Sequence, residues 1–410
     1  MTITNRVSLK SVMAGVTPIS DVPDAPTIGA ATAGAAGSGQ ATVTYTAAAT
    51  GGAVVTFTAT STPGSVTGTG ASPITVSGLT PGTAYTFTVK GTNTTATGAE
   101  SAASNSVTPP VDPTAGYLAG GLPAGNQISS IYKLAFSNES LSTISATLSQ
   151  TTAYSTGFAN SPTAGYVAGG IGNSNRISII DKLTFSGESR STISGRLTGN
   201  RMDVAGMANS GTAGYVAGGD DAGSYVNNVD KVLFSNDTVS GLGTGLSNNV
   251  FAVSGHANSG TAGYFSGGAK AGNSKVSTID KYTFSNDSRT VISAKLSDIN
   301  YYTSGFANSG TAGYTLGGLP DVGFVSTIDK LTYSNDSGST ISAKLSVAKR
   351  SGCTFAKSGT AGYYGGGTQG GTKYDAIEKI TFSNDSRSIL SAVTPVNISN
   401  QAGFANSGTL

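Results

Sequence analysis

Few side chains in this sequence could carry out catalytic chemistry. The 410 residues include one histidine, His256, and one cysteine, Cys353. A metal centre takes its ligands from several side chains, and a cysteine nucleophile needs a base beside it. His256 has no second histidine with which to share a metal, and no histidine lies near Cys353 in the sequence. We therefore predict no catalytic residues, no metal site and no cofactor, and a protein that is not an enzyme.

Charged pairs recur along the chain and are the next candidates. Neighbouring residues of a β-strand point to opposite faces of the sheet, so the Asp of one repeat could meet the Lys of the next. We predict a set of such ion pairs between repeats, with solvated charges and metal binding as the two alternatives. The recurring Asp-Lys pairs are Asp181-Lys182, Asp230-Lys231, Asp280-Lys281 and Asp329-Lys330.

A third set of residues is suited to binding. Segments that differ between repeats contain aromatic side chains, a methionine and an arginine among Asn and Ser, a combination that suits a sugar ring or a protein surface. The alternative is that these segments are unconstrained loops that have drifted. The candidate ligand- or receptor-binding residues are Tyr154, Met202, Phe251, Tyr301, Tyr302 and Arg350, with Tyr225, Phe324 and Tyr374.

The composition limits the classes of partner. Only 11% of residues are charged and the net charge is +2, so the chain has no strong electrostatic attraction to nucleic acid or to an anionic membrane. The N-terminal segment lacks the apolar core of about 7–15 residues that a secretory signal needs. No stretch approaches the roughly 20 apolar residues of a membrane span. We expect a soluble protein with no nucleic-acid partner, no membrane insertion and no recognisable export signal.

The pattern of apolar residues predicts an all-β protein in three parts. Val, Ile, Leu, Phe and Tyr alternate with polar residues, as in half-buried strands, and long helix-favouring runs are rare. Residues 1–22 form an arm too short to fold alone, residues 23–110 a sandwich, and residues 111–410 a set of repeats. The arm is predicted to order on a partner as an anchor, with a disordered tail as the alternative.

Residues 23–110 contain short strand-like segments separated by turn residues. The phrase "GLTPGTAYTFTVKGTN" resembles the fibronectin type III family, whose fold is a β-sandwich of about 90 residues. The matching residues are Leu79, Pro81, Gly82 and Tyr85, and the resemblance implies that the Tyr85 hydroxyl bonds back to the backbone as a tyrosine corner. Tyr45 stands where that family usually has a core Trp. We predict a spacer domain, with direct glycan binding as the alternative.

Residues 114–410 contain six repeats. The phrase "TAGY" places its Tyr at 117, 166, 215, 264, 314 and 363, which are 49 or 50 residues apart. A fixed period of this length, with four strand-like pieces in each repeat, predicts a six-bladed β-propeller. The Tyr, a following diglycine such as Gly169-Gly170 and a later aromatic such as Phe185 resemble the kelch repeat. The Trp that many kelch repeats carry on the fourth strand is replaced here by Ile or Leu.

The first repeat lacks the innermost strand, of type "SGFANS", that precedes every other "TAGY". The last residues of the sequence contain a matching phrase, "AGFANSG". We predict that residues 402–408 pair with residues 114–121, closing the ring of blades and removing an exposed sheet edge.

The repeats agree in two of their turns and differ in two. If the strands of a blade are a to d, the a–b turn "NSGTAG" and the c–d turn "SNDS" are nearly constant, whereas the b–c and d–a loops vary. Loops on a rigid scaffold often carry function, so the variable face is the predicted binding face. The phrase "SNDSGST" resembles the Asp-box of sialidase-type propellers, and we assign Asp336 and its equivalents a structural role in fixing the turn.

A Gly-, Ser- and Thr-rich β-protein with an arm, a fibronectin-like spacer and a diversified propeller resembles bacteriophage structural proteins. This resemblance implies a non-enzymatic virion protein of the tail-fibre or adhesin type. In that case residues 1–22 dock on other virion proteins, and the variable face binds a host-surface glycan or protein. A capsid-decorating, particle-stabilising protein and a non-viral extracellular adhesin are the alternatives. Association with further copies of the chain is also allowed.

Overall fold

The computed structural model describes residues 22–34, 38–110 and 115–406. These residues are all-β: they form small antiparallel sheets and contain no α-helix, only a short 3-10 turn at Ala271–Asn273. Within these ranges no helix is long and apolar enough to cross a membrane. The chain divides into two compact units, Met1–Asp112 and Pro113–Leu410. The predicted anchoring arm is residues 1–22, of which residues 1–21 lie outside the described residues.

The strands described in the first unit are β1 (Thr27–Ala33), β2 (Gln40–Thr46), β3 (Thr56–Thr62), β4 (Thr67–Thr69), β5 (Ile74–Ser77) and β6 (Thr86–Thr92). They form two three-stranded sheets, with strand orders β1-β2-β5 and β4-β3-β6. Along β6, buried side chains such as Phe87 and Val89 alternate with half-buried ones. They pack with Val43, Ile74 and Val76 in one apolar core.

Tyr85 fixes the corner before β6. The backbone N–H of Thr80 donates a hydrogen bond of 3.0 Å to the Tyr85 hydroxyl oxygen, which confirms the predicted return of this hydroxyl to the backbone. Tyr45 is half-buried, and its ring centroid lies 4.5 Å from that of Phe57. It therefore packs at the edge of the core rather than in its centre.

The second unit contains the remaining strands. In chain order the first of them are β7 (Ala115–Ala119), β8 (Ser130–Ala135), β9 (Ser140–Thr147), β10 (Thr152–Ala153), β11 (Thr156–Asn160), β12 (Ala164–Ala168), β13 (Ile171–Gly172), β14 (Asn175–Arg176), β15 (Ile180–Thr184), β16 (Ser189–Thr192), β17 (Ala205–Asn209), β18 (Ala213–Ala217), β19 (Asp220–Asp221), β20 (Ser224–Tyr225), β21 (Val229–Leu233) and β22 (Thr238–Gly241). The others are β23 (Ser254–Asn258), β24 (Ala262–Ser266), β25 (Thr278–Thr283), β26 (Ser288–Lys295), β27 (Ser304–Asn308), β28 (Ala312–Leu316), β29 (Ile328–Thr332), β30 (Ser337–Thr340), β31 (Cys353–Lys357), β32 (Ala361–Gly365), β33 (Thr368–Gln369), β34 (Thr372–Thr381), β35 (Ser386–Ile398) and β36 (Ala402–Ala405).

These strands form six main antiparallel sheets, which we number I to VI. Sheet I has the order β36-β7-β8-β9, and sheets II to V are β11-β12-β15-β16, β17-β18-β21-β22, β23-β24-β25-β26 and β27-β28-β29-β30. Sheet VI contains β31-β32-β34, with β33 and β35 both paired to β34. Each repeat of the sequence therefore builds one sheet from four main strands that follow one another in chain order, except that the C-terminal β36 begins sheet I.

The pairing of β36 with β7 was predicted from the sequence and is present. Ala402 is paired with Ala119, and Phe404 with Tyr117. The same register recurs in sheet II, where Phe158 is paired with Tyr166. The C-terminal strand thus takes the place in sheet I that β11 takes in sheet II.

The first strands of the six sheets, which we call the inner strands, contact one another in a closed cycle. The order is β36, β11, β17, β23, β27, β31 and back to β36. Glycine permits this approach: a Cβ atom on Gly157 would collide with the backbone carbonyl of Gly403, and one on Gly403 with that of Thr354. A side chain at either position would push two sheets apart.

Consecutive sheets are joined by one recurring contact. A carboxylate in the c–d turn of each sheet, which we call the turn carboxylate, accepts a hydrogen bond of 2.7–3.2 Å from the "TAGY" tyrosine of the preceding sheet. The same carboxylate lies 2.5–2.7 Å from a lysine of that sheet. The six sets are Tyr117 and Lys133 with Glu188, Tyr166 and Lys182 with Asp237, Tyr215 and Lys231 with Asp287, Tyr264 and Lys281 with Asp336, Tyr314 and Lys330 with Asp385, and Tyr363 and Lys379 with Glu139.

The ion pairs predicted between repeats therefore exist, but the predicted carboxylate was wrong. The lysines of the Asp-Lys pairs reach the turn carboxylates, not the Asp of a neighbouring pair. The Asp of each pair binds the end of the preceding sheet instead, as where Asp181 Oδ2 accepts from the N–H of Ser149 at 2.7 Å. Because side chains alternate along a strand, the Lys and the Asp face opposite neighbouring sheets.

The role predicted for the turn Asp was also wrong in detail. In the turn "SNDS" the preceding Asn fixes the backbone: Asn286 Oδ1 accepts a hydrogen bond of 3.1 Å from the N–H of Ser288. Asp287 itself has a positive φ of 54°, and this left-handed conformation accompanies its contact with the neighbouring sheet. The turn is therefore built by two residues with separate roles.

An aromatic group fills each interface behind this contact. Phe158, Tyr166 and Phe234 of sheets II and III stack with ring centroids 5.2–6.3 Å apart, and a Cβ on Gly214 would collide with the Phe158 ring. His256 occupies the equivalent of Phe158 in sheet IV. Its Nδ1 lies 3.0 Å from the Tyr333 hydroxyl, and burial lowers the pKa of His256 to about 3. The single histidine is therefore a neutral core residue.

We predict that deleting residues 400–410 unfolds the second unit, because sheet I loses β36 and the cycle of inner strands is opened. The first unit, which has its own core, should remain folded. Limited proteolysis of the truncated chain should yield a stable fragment of the first unit while the repeats are digested. Repeats that resist protease as well as those of the full chain would contradict this expectation.

Candidate ligand-binding face

Both kinds of variable loop lie at one end of the sheets, as predicted. The d–a loop of each sheet bonds to the b–c loop of the sheet that follows. Backbone bridges join Met202 to Asp220, Phe251 to Ala269, and Arg350 to Thr368. We call this end of the second unit the variable face.

Six residues of the d–a loops form a closed ring of backbone hydrogen bonds on this face. Each has a positive φ of 53–58°, and each N–H donates to the carbonyl of its neighbour at 2.8–3.1 Å. We call this cycle the backbone ring, and it fixes the centre of the variable face independently of side-chain identity. In order of donation it runs Asn400 to Ser351, Ser351 to Tyr302, Tyr302 to Ala252, Ala252 to Asp203, Asp203 to Tyr154 and Tyr154 to Asn400.

A narrow cavity of about 100 Å³ lies among the inner strands, next to the backbone ring. Ser155, Thr303 and Gln401 line it. Each is buried and has a polar side-chain atom without a hydrogen-bond partner in the described part of the chain. The centre of the cycle is therefore polar and too small for more than a few water molecules.

Most of the predicted binding residues come together in one chain of ring contacts. The Tyr225 ring stacks on Phe251 at 4.3 Å, and Phe251 contacts both Tyr301 and Tyr302 edge-on at 5.7 Å. The guanidinium carbon of Arg350 lies 4.3 Å from the Tyr302 ring centroid.

Phe324 extends this chain, at 6.0 Å from the guanidinium carbon of Arg350. Tyr154 is half-buried and lines the same cavity as Tyr302, Phe324 and Arg350. The other two predicted residues lie apart from this group. Met202 bonds to the Asp220 backbone, and the Tyr374 hydroxyl donates to Gln369 Oε1 at 3.1 Å.

Two of the predicted binding residues are buried instead of exposed. Phe251 and Tyr301 are only 7% and 9% exposed and pack with Ala252 and Ala269 in a small apolar cluster. These two residues do not present their rings for binding, because the loops of adjacent sheets bury them against each other. They support the face, whereas Tyr154, Tyr302, Phe324 and Arg350 line its cavity.

Four further residues of this face were not predicted from the sequence: Asp203, Ser351, Asn400 and Lys373. Asp203 is buried, and burial raises the pKa of its carboxyl to about 7, in spite of a hydrogen bond of 3.4 Å from the Tyr302 hydroxyl. The spacing of the backbone-ring residues, 49 or 50 like that of "TAGY", could have identified Asp203, Ser351 and Asn400. Lys373 had no such signal, because its loop has no constant length.

The described residues contain no group of three or more His, Cys, Asp or Glu side chains that could hold a metal ion. Cys353 is buried at the start of an inner strand, and burial raises the pKa of its thiol to about 12. The thiol is therefore protonated at neutral pH and is a poor nucleophile.

We predict that Tyr301→Ala lowers the free energy of unfolding by about 2–4 kcal/mol, because it removes a buried ring and leaves a cavity. Tyr154→Ala should cost about 1 kcal/mol or less, since Tyr154 is half-buried and has no ring contact among the described residues. Urea denaturation of the two variants measures the difference. Equal losses would show that Tyr301 does not support the face.

Comparison with known proteins adds the fold alone. No family model matches the chain, and no curated protein matches it. A solved structure titled "Structure of YjhT" is similar over 69% of this chain and 98% of the YjhT chain, with 15% sequence identity and a TM-score of 0.54. In all, 249 chains of solved structures match, so the architecture is widely shared and does not by itself indicate an activity.

Proposed function

We propose that the second unit is a six-bladed, kelch-like β-propeller closed by its C-terminal strand, and that the first is a fibronectin type III-like sandwich. The cycle of inner strands, the backbone ring and the six equivalent turn carboxylates support a propeller. The two three-stranded sheets and the Tyr85 corner support the sandwich.

On this basis we propose that the chain is a non-enzymatic structural protein of a phage virion, of the tail-fibre or adhesin type. It binds a host-surface glycan or protein through the variable face. Residues 1–22 attach it to other virion proteins, and residues 23–110 act as a spacer. The observation that carries the binding role is a contrast between the two ends of the same six sheets.

At one end, repeated side chains are fully used in contacts between sheets. Asn209 Oδ1, for example, accepts from the N–H of Gly260 at 2.8 Å, and Asn258 Oδ1 from that of Gly310 at 3.0 Å. At the other end, the backbone ring fixes the loops, and the side chains differ from sheet to sheet. A scaffold that holds its loops by backbone bonds leaves their side chains free to be selected for binding.

The variable face also has the composition of a binding surface. Its cavity of about 410 Å³ is lined by Tyr154, Tyr302, Phe324 and Arg350, and this volume lies within the range of about 300–1,000 Å³ seen for ligand pockets. Tyr and Arg are the residue types that most often dominate binding energy.

We predict that Tyr154→Ala combined with Phe324→Ala weakens attachment of the full chain to host cells by about 1–3 kcal/mol, through loss of aromatic contact area. Fluorescently labelled chain is titrated onto the host cells of the phage. The control carries Ser285→Ala and Thr290→Ala, at exposed positions beside the turn at the opposite end, and should attach like the unchanged chain. If the control variant fails to attach and the Tyr154/Phe324 variant attaches normally, the binding surface lies at the opposite end of the sheets and the proposal is contradicted.

The position of the chain on the particle is tested separately by electron microscopy of virions labelled with an antibody against the repeats. A tail-fibre role places the label on the tail. Label spread over the capsid would contradict that role and favour the capsid-decorating alternative.

A further inference from the structure

The cavity on the variable face contains a cation, Arg350, that forms no ion pair with any residue that the structure describes. The Arg350 side chain is half-buried and stacks on Tyr302 and Phe324. Its Nε atom is buried without a hydrogen-bond partner, and its guanidinium forms no ion pair within the part of the chain that the structure describes. Stacking uses the faces of the guanidinium and leaves the N–H groups along its edge free to donate.

Three other arginines of the second unit also have an unpartnered buried Nε, but each of them has a carboxylate partner. Arg201 pairs with Asp230 in the core, Arg176 lies 2.7 Å from Asp220, and Arg289 lies 3.1 Å from Asp280. A partly buried arginine without a carboxylate loses hydration and gains no ion pair in return. Arg350 is therefore held by aromatic rings in a position where an incoming anion would supply the missing partner.

The lining of the cavity also favours an anion. Lys373 is a second cation on its wall, and the lining includes no Asp or Glu. The Nζ of Lys373 donates a hydrogen bond of 2.7 Å to the carbonyl of Pro123, which leaves the remaining N–H groups available. Asp203 lies outside this lining, where it contacts the Tyr302 hydroxyl and interacts electrostatically with Arg350. Burial raises its pKa to about 7, so it carries only part of a negative charge at neutral pH.

Aromatic walls and hydroxyl or amide groups complete the site. Tyr154, Tyr302 and Phe324 offer flat apolar surfaces, and Ser351 and Asn400 offer polar side chains. An anion joined to a ring with one apolar face and several hydroxyls matches this lining better than an inorganic anion, which would leave the aromatic walls unused.

We propose that this cavity binds an anionic saccharide, with the Arg350 guanidinium donating to its carboxylate or phosphate oxygens and Lys373 adding charge. This inference rests on the proposed function, since it names the class of ligand that the variable face takes from the host surface. Planar guanidinium groups bind such oxygens through two parallel hydrogen bonds, which gives both affinity and orientation.

The test uses polysaccharide purified from the host surface and full-length chain, with binding measured by calorimetry. The polysaccharide is used untreated, after reduction of its carboxyl groups to alcohols, and after removal of its phosphate esters by hydrofluoric acid. One of the two treatments should weaken binding at least tenfold and so identify the anion. Undiminished binding after both treatments would overturn the inference and leave the proposed function standing. No binding to the untreated polysaccharide would contradict glycan attachment itself, and the inference with it.

Variants of the protein test the residue assignment. Arg350→Gln should weaken binding of the untreated polysaccharide at least tenfold. Arg350→Lys should weaken it less, because lysine keeps the positive charge, although it lacks the paired N–H donors of the guanidinium. Arg190→Gln, an exposed arginine on a strand of sheet II, is the matched control and should bind normally. Thermal unfolding midpoints of all three variants should match that of the unchanged chain. An Arg350→Gln variant that is folded and binds like the control would show that Arg350 does not hold the ligand.

Discussion

The turn carboxylate is the contact on which the arrangement of the six sheets depends. Each one accepts from a tyrosine and a lysine of the preceding sheet, and the last link, from Tyr363 and Lys379 to Glu139, returns to sheet I. Burial and the neighbouring carboxylate raise the pKa of these tyrosines, as for Tyr166 with Asp237, so their hydroxyls remain donors. Because every repeat carries the tyrosine, the lysine and the turn carboxylate, the same contact joins each sheet to the next.

The lysines of these contacts are 18–32% exposed, so each ion pair contributes about 1 kcal/mol or less. The hydrogen bond from a buried tyrosine to a charged oxygen contributes more, about 1.5–3 kcal/mol. The aromatic group behind it adds apolar burial at every interface, and the glycine there faces a ring except between sheets III and IV, where Gly263 faces Met207. Much of the stability is therefore spread over six similar interfaces away from the variable face, and on that face it depends on buried residues such as Phe251 and Tyr301 and not on those that line the cavity. This separation lets the loops diverge without loss of the fold.

The sequence predicted most of the fold because the repeats serve as internal controls for one another. The four main strands of each repeat, the two kinds of turn and the pairing of β36 with β7 all followed from phrases that recur at a constant spacing, whereas short strands of the variable loops such as β13 and β19 did not. The carboxylate partner of each lysine could not be predicted, because it lies in another sheet about 55 residues away in the chain. The alternation of side chains along a strand shows only which face of the sheet a lysine points to, not which residue it meets. Burial of Phe251 and Tyr301 was missed for a similar reason. Their neighbours come from loops of adjacent sheets, and contacts between loops follow no repeating pattern in the sequence from which burial could be predicted.

The residues of the candidate site were predicted in part. Aromatic residues and Arg350 were identified by their divergence between repeats, but sequence divergence cannot distinguish a side chain that lines a cavity from one that supports it. The structure separates Tyr302 and Arg350 from Tyr301 and Phe251 on the basis of burial and contacts. It also shows that the cavity is positive through Arg350 and Lys373 together, a property that no single loop carries.

The architecture of the second unit depends most on closure of the six sheets into one cycle, and hydrogen exchange tests that closure directly. The six backbone-ring amides belong to Tyr154, Asp203, Ala252, Tyr302, Ser351 and Asn400, and the bond from Tyr154 to Asn400 joins the C-terminal segment to the loop before sheet II. Exchange of these amides is followed by NMR on the full chain. If the cycle is closed, all six should be protected to a similar degree, since none can open without disturbing its neighbours. Rapid exchange at Tyr154 and Asn400, with protection of the other four, would show that the cycle is open between the C-terminal segment and the loop before sheet II.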